Sequence, residues 1–289
     1  MFKLSTAAAT GAATIAIAVL PHVALADTSG EISLGHLETD AFRGGYLFGD
    51  FVLSVAEGDW GAELGMFGVV GRLHETYASA IWTREGHKVE LGFPQPAYDR
   101  YAVSGLTQLM PRLALSSIST SRSRATAGVM TESEFLPYGA VYSRREKNAR
   151  ASMSLHGVPD TDIVIFGAGA TFEAGAWTVD LAAEAVSEDA QHEWNAKAQV
   201  RKEFEDWRIG ANIFAADANG AARTAELFAQ FDIFKDAELT GQLRKSEGQE
   251  FMVGAGVEHD FGRGVTAEFA MVRAADTGLA VSAAVSYSF

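Results

Sequence analysis

The sequence predicts an all-β chain: one transmembrane antiparallel β-barrel of 16 strands, with 14 as the alternative count. Three observations predict it. The body of the chain is a series of segments, each about ten residues long, in which apolar and polar side chains alternate, so each has one dry and one wet face. After Ala26 no apolar run is long enough for a spanning helix, so a chain of this kind can cross lipid only as a closed barrel. The last segment alternates without a break: Leu279, Val281, Ala283, Val285, Tyr287 and Phe289 on one face, and Ala280, Ser282, Ala284, Ser286 and Ser288 on the other.

In chain order, residues 1–26 read as a secretory signal. Lys3 is the only charge before Asp27, an apolar stretch runs from Ala12 to Leu20, Pro21 breaks it, and Ala24-Leu25-Ala26 is a small-x-small cleavage site. Residues 27–289 then form the barrel domain. Strands are expected near 31–37, 45–55, 60–70, 74–83 and 86–93, although glycines at 45, 49, 61, 65, 68 and 71 blur the alternation. Pro94 to about Phe135 breaks the rhythm with a connection of about forty residues, a length that usually carries function. Strands resume near 136–145, 148–157, 162–173, 176–187, 193–204, 206–216, 223–233, 236–245, 250–260, 264–273 and 279–289.

Trp177 to Ala185 shows the pattern best. Trp177, Val179, Leu181, Ala183 and Ala185 share one face, with Thr178, Asp180 and Glu184 on the other; a 3.6-residue period would mix the acids into the apolar side. Tight turns are expected at Glu57-Gly58-Asp59, Arg84-Glu85-Gly86, Glu146-Lys147, Ala174-Gly175, Glu205-Asp206, Lys235-Asp236 and Gly262-Arg263-Gly264, all at one end of the barrel. Longer links at Val158–Thr161, Ser187–His192 and Asp217–Ala222 fall at the other end. Trp60, Trp82, Trp177, Trp194 and Trp207 lie at or near strand ends, as a girdle at the membrane interface requires.

The formal charge of −14 argues against nucleic acid as a partner and allows a cavity that attracts cations. With no cysteine, disulfides, thiolate metal sites and cysteine nucleophiles are excluded. Seven histidines form no His-Glu-x-x-His motif and no i, i+4 pair, so no metal or cofactor is expected. Asp217-Ala218-Asn219-Gly220 starts like a calcium loop, but its twelfth position is Phe228, not Glu. Ser154 and His156 invite an enzyme reading of lipase or protease type. They lie two apart on the wet face of one strand, with Cβ atoms about 7 Å apart, too far for a nucleophile–base hydrogen bond by that spacing alone. No enzymatic activity is expected.

The signal segment, the count of 16 and the single long connection after the fifth strand together resemble the general (trimeric) porins of Gram-negative bacterial outer membranes. The junction Leu91-Gly92-Phe93-Pro94-Gln95-Pro96-Ala97-Tyr98-Asp99 is similar to the point where that family's fifth strand gives way to its long loop. The resemblance implies that residues 94–135 fold into the lumen and constrict it. It also implies an outer-membrane location, a homotrimer, and Phe289 as the signal read by the barrel-assembly machinery. The expected partners are outer-membrane lipid, ions and small hydrophilic solutes, with a weak cation preference; a substrate-specific channel is the alternative. Sixteen strands leave an aqueous lumen, so wet-face charges become candidate lining groups. Those singled out are Lys88, Glu90, Arg150, Lys197, Arg201 and Arg208 on the wall, with Asp99, Arg100, Glu132 and Glu134 on the loop.

Overall fold

The computed structural model describes residues 26–40, 42–70, 74–110, 121–126, 136–189, 191–217, 222–274 and 278–289. Residues 1–25 of the expected signal segment and the charges Glu132 and Glu134 lie outside the described residues, whereas Ala26, its last expected residue, opens β1.

The described strands are sixteen. The first five are β1 (Ala26–Glu38), β2 (Arg43–Glu57), β3 (Trp60–Val69), β4 (His74–Arg84) and β5 (His87–Phe93). The long connection follows, and within it lie a 3-10 turn (Ala97–Arg100) and a short helix, α1 (Gly105–Leu109). The chain resumes with β6 (Tyr138–Glu146), β7 (Ala149–Gly157), β8 (Val164–Ala174), β9 (Trp177–Glu188), β10 (Gln191–Glu203) and β11 (Trp207–Ala216). The last five are β12 (Ala222–Phe234), β13 (Ala237–Ser246), β14 (Phe251–Asp260), β15 (Val265–Ala274) and β16 (Gly278–Ser288).

Each strand pairs antiparallel with its sequence neighbours, and β1 pairs with β16 to close the ring. The seam runs from Glu31 opposite Ser288 to Glu38 opposite Val281. Beyond it, Gly30 and Phe289 exchange two backbone hydrogen bonds of 3.1 Å. Closure leaves the sheet with no raw edge. The seven tight turns all fall at the end where Gly30 meets Phe289.

Two expected boundaries differ. β1 starts at Ala26 and not near 31, because its polar first residues, which carry no strand signal, pair with the end of β2 down to Ala26 opposite Val55. The link expected at Ser187–His192 is shorter, because the pairing of β9 with β10 continues up to Glu188 opposite Gln191. There Asp189 adopts φ 47°, a turn conformation that Asp tolerates.

The two faces of the ring differ as alternation requires. Outward side chains are apolar and exposed: Leu34 is 69% accessible, Ile213 62% and Val285 55%. Soluble chains rarely expose so continuous an apolar surface. No helix among the described residues is long and apolar enough to cross a membrane. Aromatic rings gather at the short-turn end. Trp60 stands opposite Trp82. Trp207 stacks on Phe204 at 3.8 Å and on Phe231 at 5.9 Å, and Lys202 lies 5.1 Å from the Trp177 ring.

Candidate functional site: the cavity inside the ring

A cavity of about 540 Å3 draws its lining from β1, β2, β3, β7 and β9 to β15, together with Arg100–Val103, Thr107 and Gln108 of the long connection. Strands spaced so far round a closed ring can share one cavity only across its interior. Its charges are sorted by side. Arg150, Arg201 and Arg208 come from β7, β10 and β11, and Arg100 joins them from the connection. Glu238, Glu258, Glu268, Glu31 and Asp50 come from β13, β14, β15, β1 and β2. The sheet register makes neighbours of the acids: Glu238 faces Glu258, Glu258 faces Glu268, and Glu31 faces Asp50. Two bridges temper the sorting. Arg201 reaches Asp180 at 3.2 Å and Arg208 reaches Glu238 at 3.3 Å.

The connection is fixed to the wall by inward polar side chains. At its start the Ala97 N–H donates to Ser154 Oγ at 3.0 Å, and His156 Nε2–H donates to the Pro94 carbonyl at 3.0 Å. Ser154 and His156, weighed above as an enzyme pair, are thus committed to holding backbone. Arg100 forms a 2.6 Å bridge to Glu90. The Tyr101 hydroxyl shares a 2.7 Å hydrogen bond with Ser152. Its ring lies against Gly169, where a Cβ atom would collide with it. Gln199 and Asn212 both donate to the Val103 carbonyl, at 2.9 and 3.2 Å.

Just before α1, Glu226 accepts from Ser104 Oγ at 2.6 Å and from the Gly105 N–H at 3.0 Å, and it pairs with Arg244 at 2.6 Å. The second described stretch is held the same way. Glu184 accepts from the Arg124 N–H at 2.8 Å and from the Ser123 hydroxyl. Lys197 donates to the Ser121 carbonyl at 2.9 Å, and Arg122 bridges to Glu75 at 3.1 Å.

The apolar face of α1 meets the opposite wall. Leu106, Leu109 and Met110 are buried with Leu37, Phe48, Phe67, Val69, Ala270, Val272 and Ala280. Gly256 makes room for them, since a Cβ there would stand 2.7 Å from Leu109 Cδ1.

The expected site residues divide into two groups. Arg100, Arg150, Arg201 and Arg208 line the cavity. Lys88, with Arg100 and Arg150, lines a smaller one of about 420 Å3 and pairs with Glu63 at 2.7 Å. Glu90 and Lys197 point inward but lie beneath the connection, only 1% and 4% accessible. Asp99, expected to face the passage, is buried. It accepts from the Ser123 N–H at 2.6 Å and from the Thr126 hydroxyl, tying the two described stretches together. Burial, with the nearby charges of Glu184 and Asp99, pushes the neighbouring Tyr98 hydroxyl above its ordinary range, so that ring stays neutral beside Lys197. Glu31, Asp50 and the Glu238–Glu258–Glu268 row were not singled out. Their alternation placed the row on the wet face, but only the register shows the three in line.

A closed ring of 16 antiparallel strands around a charged cavity, with its long connection after the fifth strand, is a porin-type barrel. A triple mutant of Rhodopseudomonas blastica porin superposes with a TM-score of 0.69 at 15% identity, over 92% of this chain and all of the other. Another mutant of that porin gives 0.68 at 14% identity with the same coverage. A structure described as concerning asymmetric conductivity of engineered proteins gives 0.69 at 15% identity, over 91% of this chain and all of that one. No family model matches the sequence, and no curated protein matches it. At such identities the likeness is one of fold.

Proposed function

We propose that the protein is an outer-membrane channel through which ions and small hydrophilic solutes diffuse passively. The observation that carries this is the charge-sorted cavity inside a ring whose outer face is apolar. Arginines of β7, β10 and β11 face carboxylates of β13 to β15, β1 and β2, so a polar solute at the narrows experiences a field across its path. The long connection narrows the passage, held there by Glu90 through Arg100, by Lys197, and by Asp99 through its two stretches. Six acids and four arginines line the cavity, which supports a weak cation preference. A homotrimer and recognition of Phe289 by the assembly machinery belong to the same reading. Crosslinking tests the first, and the yield of a Phe289→Ala barrel tests the second.

Planar bilayers test the channel. Stepwise, ohmic conductance is expected from the refolded protein, and a silent bilayer overturns the reading. Glu238→Gln, Glu258→Gln and Glu268→Gln together should abolish the cation preference. An unchanged reversal potential in a salt gradient would remove that row from the selectivity argument.

A further inference from the structure

A groove of about 1020 Å3 lies on the other side of the wall, on the outward face of β8 to β13. Its floor is alanine. Ala168 faces Ala183, Ala183 faces Ala196, Ala196 faces Ala215, and Ala215 faces Arg223. One row over, Leu181 faces Ala198, Ala198 faces Ile213, Ile213 faces Ala225, and Ala225 faces Lys245. The first row therefore crosses from mid-strand in β8 to the start of β12 in four strand spacings, about 19 Å. Both rows end on a cation at the barrel end remote from the short turns.

The two cations are neighbours. Arg223 lies two residues beyond the partner of Lys245, a diagonal pair with Cβ atoms roughly 7–8 Å apart. Lys245 donates to the Gln249 carbonyl and lies 5.0 Å from the Phe251 ring. Among the described residues no ion pair reaches Arg223 or Lys245, although Glu247 also borders the groove. Elsewhere at this end Arg43 pairs with Glu38 and Arg124 with Glu188. In a chain of net charge −14, two adjacent cations without a bridge at the head of an apolar groove suit an anion that carries a hydrocarbon tail.

We infer that this groove binds an anionic lipid of the surrounding leaflet, with its phosphate on Arg223 and Lys245 and an acyl chain along the alanine floor. The inference rests on the membrane reading above. It adds a lipid site outside the ring, separate from the route for solutes.

Native mass spectrometry of the refolded full chain in an uncharged detergent tests it. The probes are saturated phosphatidic acid, phosphatidylcholine with the same chains, and inorganic phosphate. Phosphatidic acid should be retained roughly thirtyfold more tightly than phosphatidylcholine, given what two cations near a membrane surface contribute. The double variant Arg223→Gln, Lys245→Gln should lose that preference, whereas Arg273→Gln should keep it. Ala196→Leu should fill the floor and lower retention of both lipids; Ala198→Val serves where the larger side chain prevents folding.

Retention of the preference in the double variant overturns the proposal. So does unchanged lipid retention in the filled variants, or binding of inorganic phosphate as tight as that of phosphatidic acid. Dissociation of an oligomer by Ala196→Leu with lipid retention unchanged overturns it too, by making the groove a contact between copies. All these variants lie outside the ring and should conduct as the parent does. A silent parent that still retains phosphatidic acid would sink the channel reading and leave the lipid site standing.

Discussion

The two sides of the barrel interior hold the same connection by different chemistry. Along β7 to β13 the grip is mainly polar: Ser154, Glu184, Lys197, Gln199, Asn212 and Glu226 bond to named backbone or side-chain atoms, beside two small apolar clusters of Tyr98 and Tyr101 with Ala182 and of Ala125 with Ile165 and Val186. Along β15, β16 and β1 to β3 it is apolar, with Leu106, Leu109 and Met110 of the connection set among Leu37, Phe48, Phe67 and Val272. Hydrogen bonds are directional and fix where a segment lies; apolar contact is not, and mainly fixes how firmly it stays. The polar side should therefore control the position of the connection, and the apolar side its stability.

The sharpest way to break that contrast is Glu226→Gln. It leaves Arg244, whose side chain is 4% accessible, without its carboxylate. A loss of about 3 kcal/mol in urea unfolding is expected, with single-channel currents that scatter over several levels. A change under about 1 kcal/mol with one sharp level would show that the pair does not set the position. Next comes Leu106→Ala on the apolar side, expected to cost about 2 kcal/mol by leaving a cavity while the current stays at one level. Scatter as broad as that of Glu226→Gln would erase the distinction. Tyr101→Phe removes one hydrogen bond to Ser152 and should cost about 1 kcal/mol. At the bottom, Arg43→Gln breaks an exposed bridge to Glu38 outside both grips, and should shift the urea midpoint by no measurable amount.

The same contrast explains what could be read from the sequence. β9 and β10 were plain, because their inward faces carry Asp180, Glu184, Asn195, Lys197 and Gln199 against outward Leu181, Ala183, Trp194 and Val200. In β1 to β3 the alternation blurred for a second reason besides glycine. Leu37, Tyr46, Phe48, Phe67 and Val69 point inward and are as apolar as their outward neighbours, because they pack in one apolar cluster with α1. All sixteen strands could be placed, since a two-residue period survives a few exceptions. The position of Asp99 could not. Its partners Ser123 and Thr126 lie 24 and 27 residues away, and local sequence gives a charged residue beside Arg100 no reason to be buried. Arg150, Arg201 and Arg208 were legible because each lies on a strand whose wet face has no other destination than the interior.

The connection touches both halves of the ring: β7 to β13 by hydrogen bonds, and β1 to β3, β15 and β16 by α1. The apolar half is itself complete only when β1 zips to β16, because α1 packs on strands from both sides of that seam. Biogenesis thus acquires a schedule. The connection has to be laid into the half-built sheet before the final zip, as a foot enters a boot before it is laced, because threading it through a finished hoop would mean breaking every bond that seats it. Glu226→Gln should then yield hoops laced around misplaced connections, seen as a mixture of long-lived conductance classes within one preparation. A single class would show that seating can follow closure.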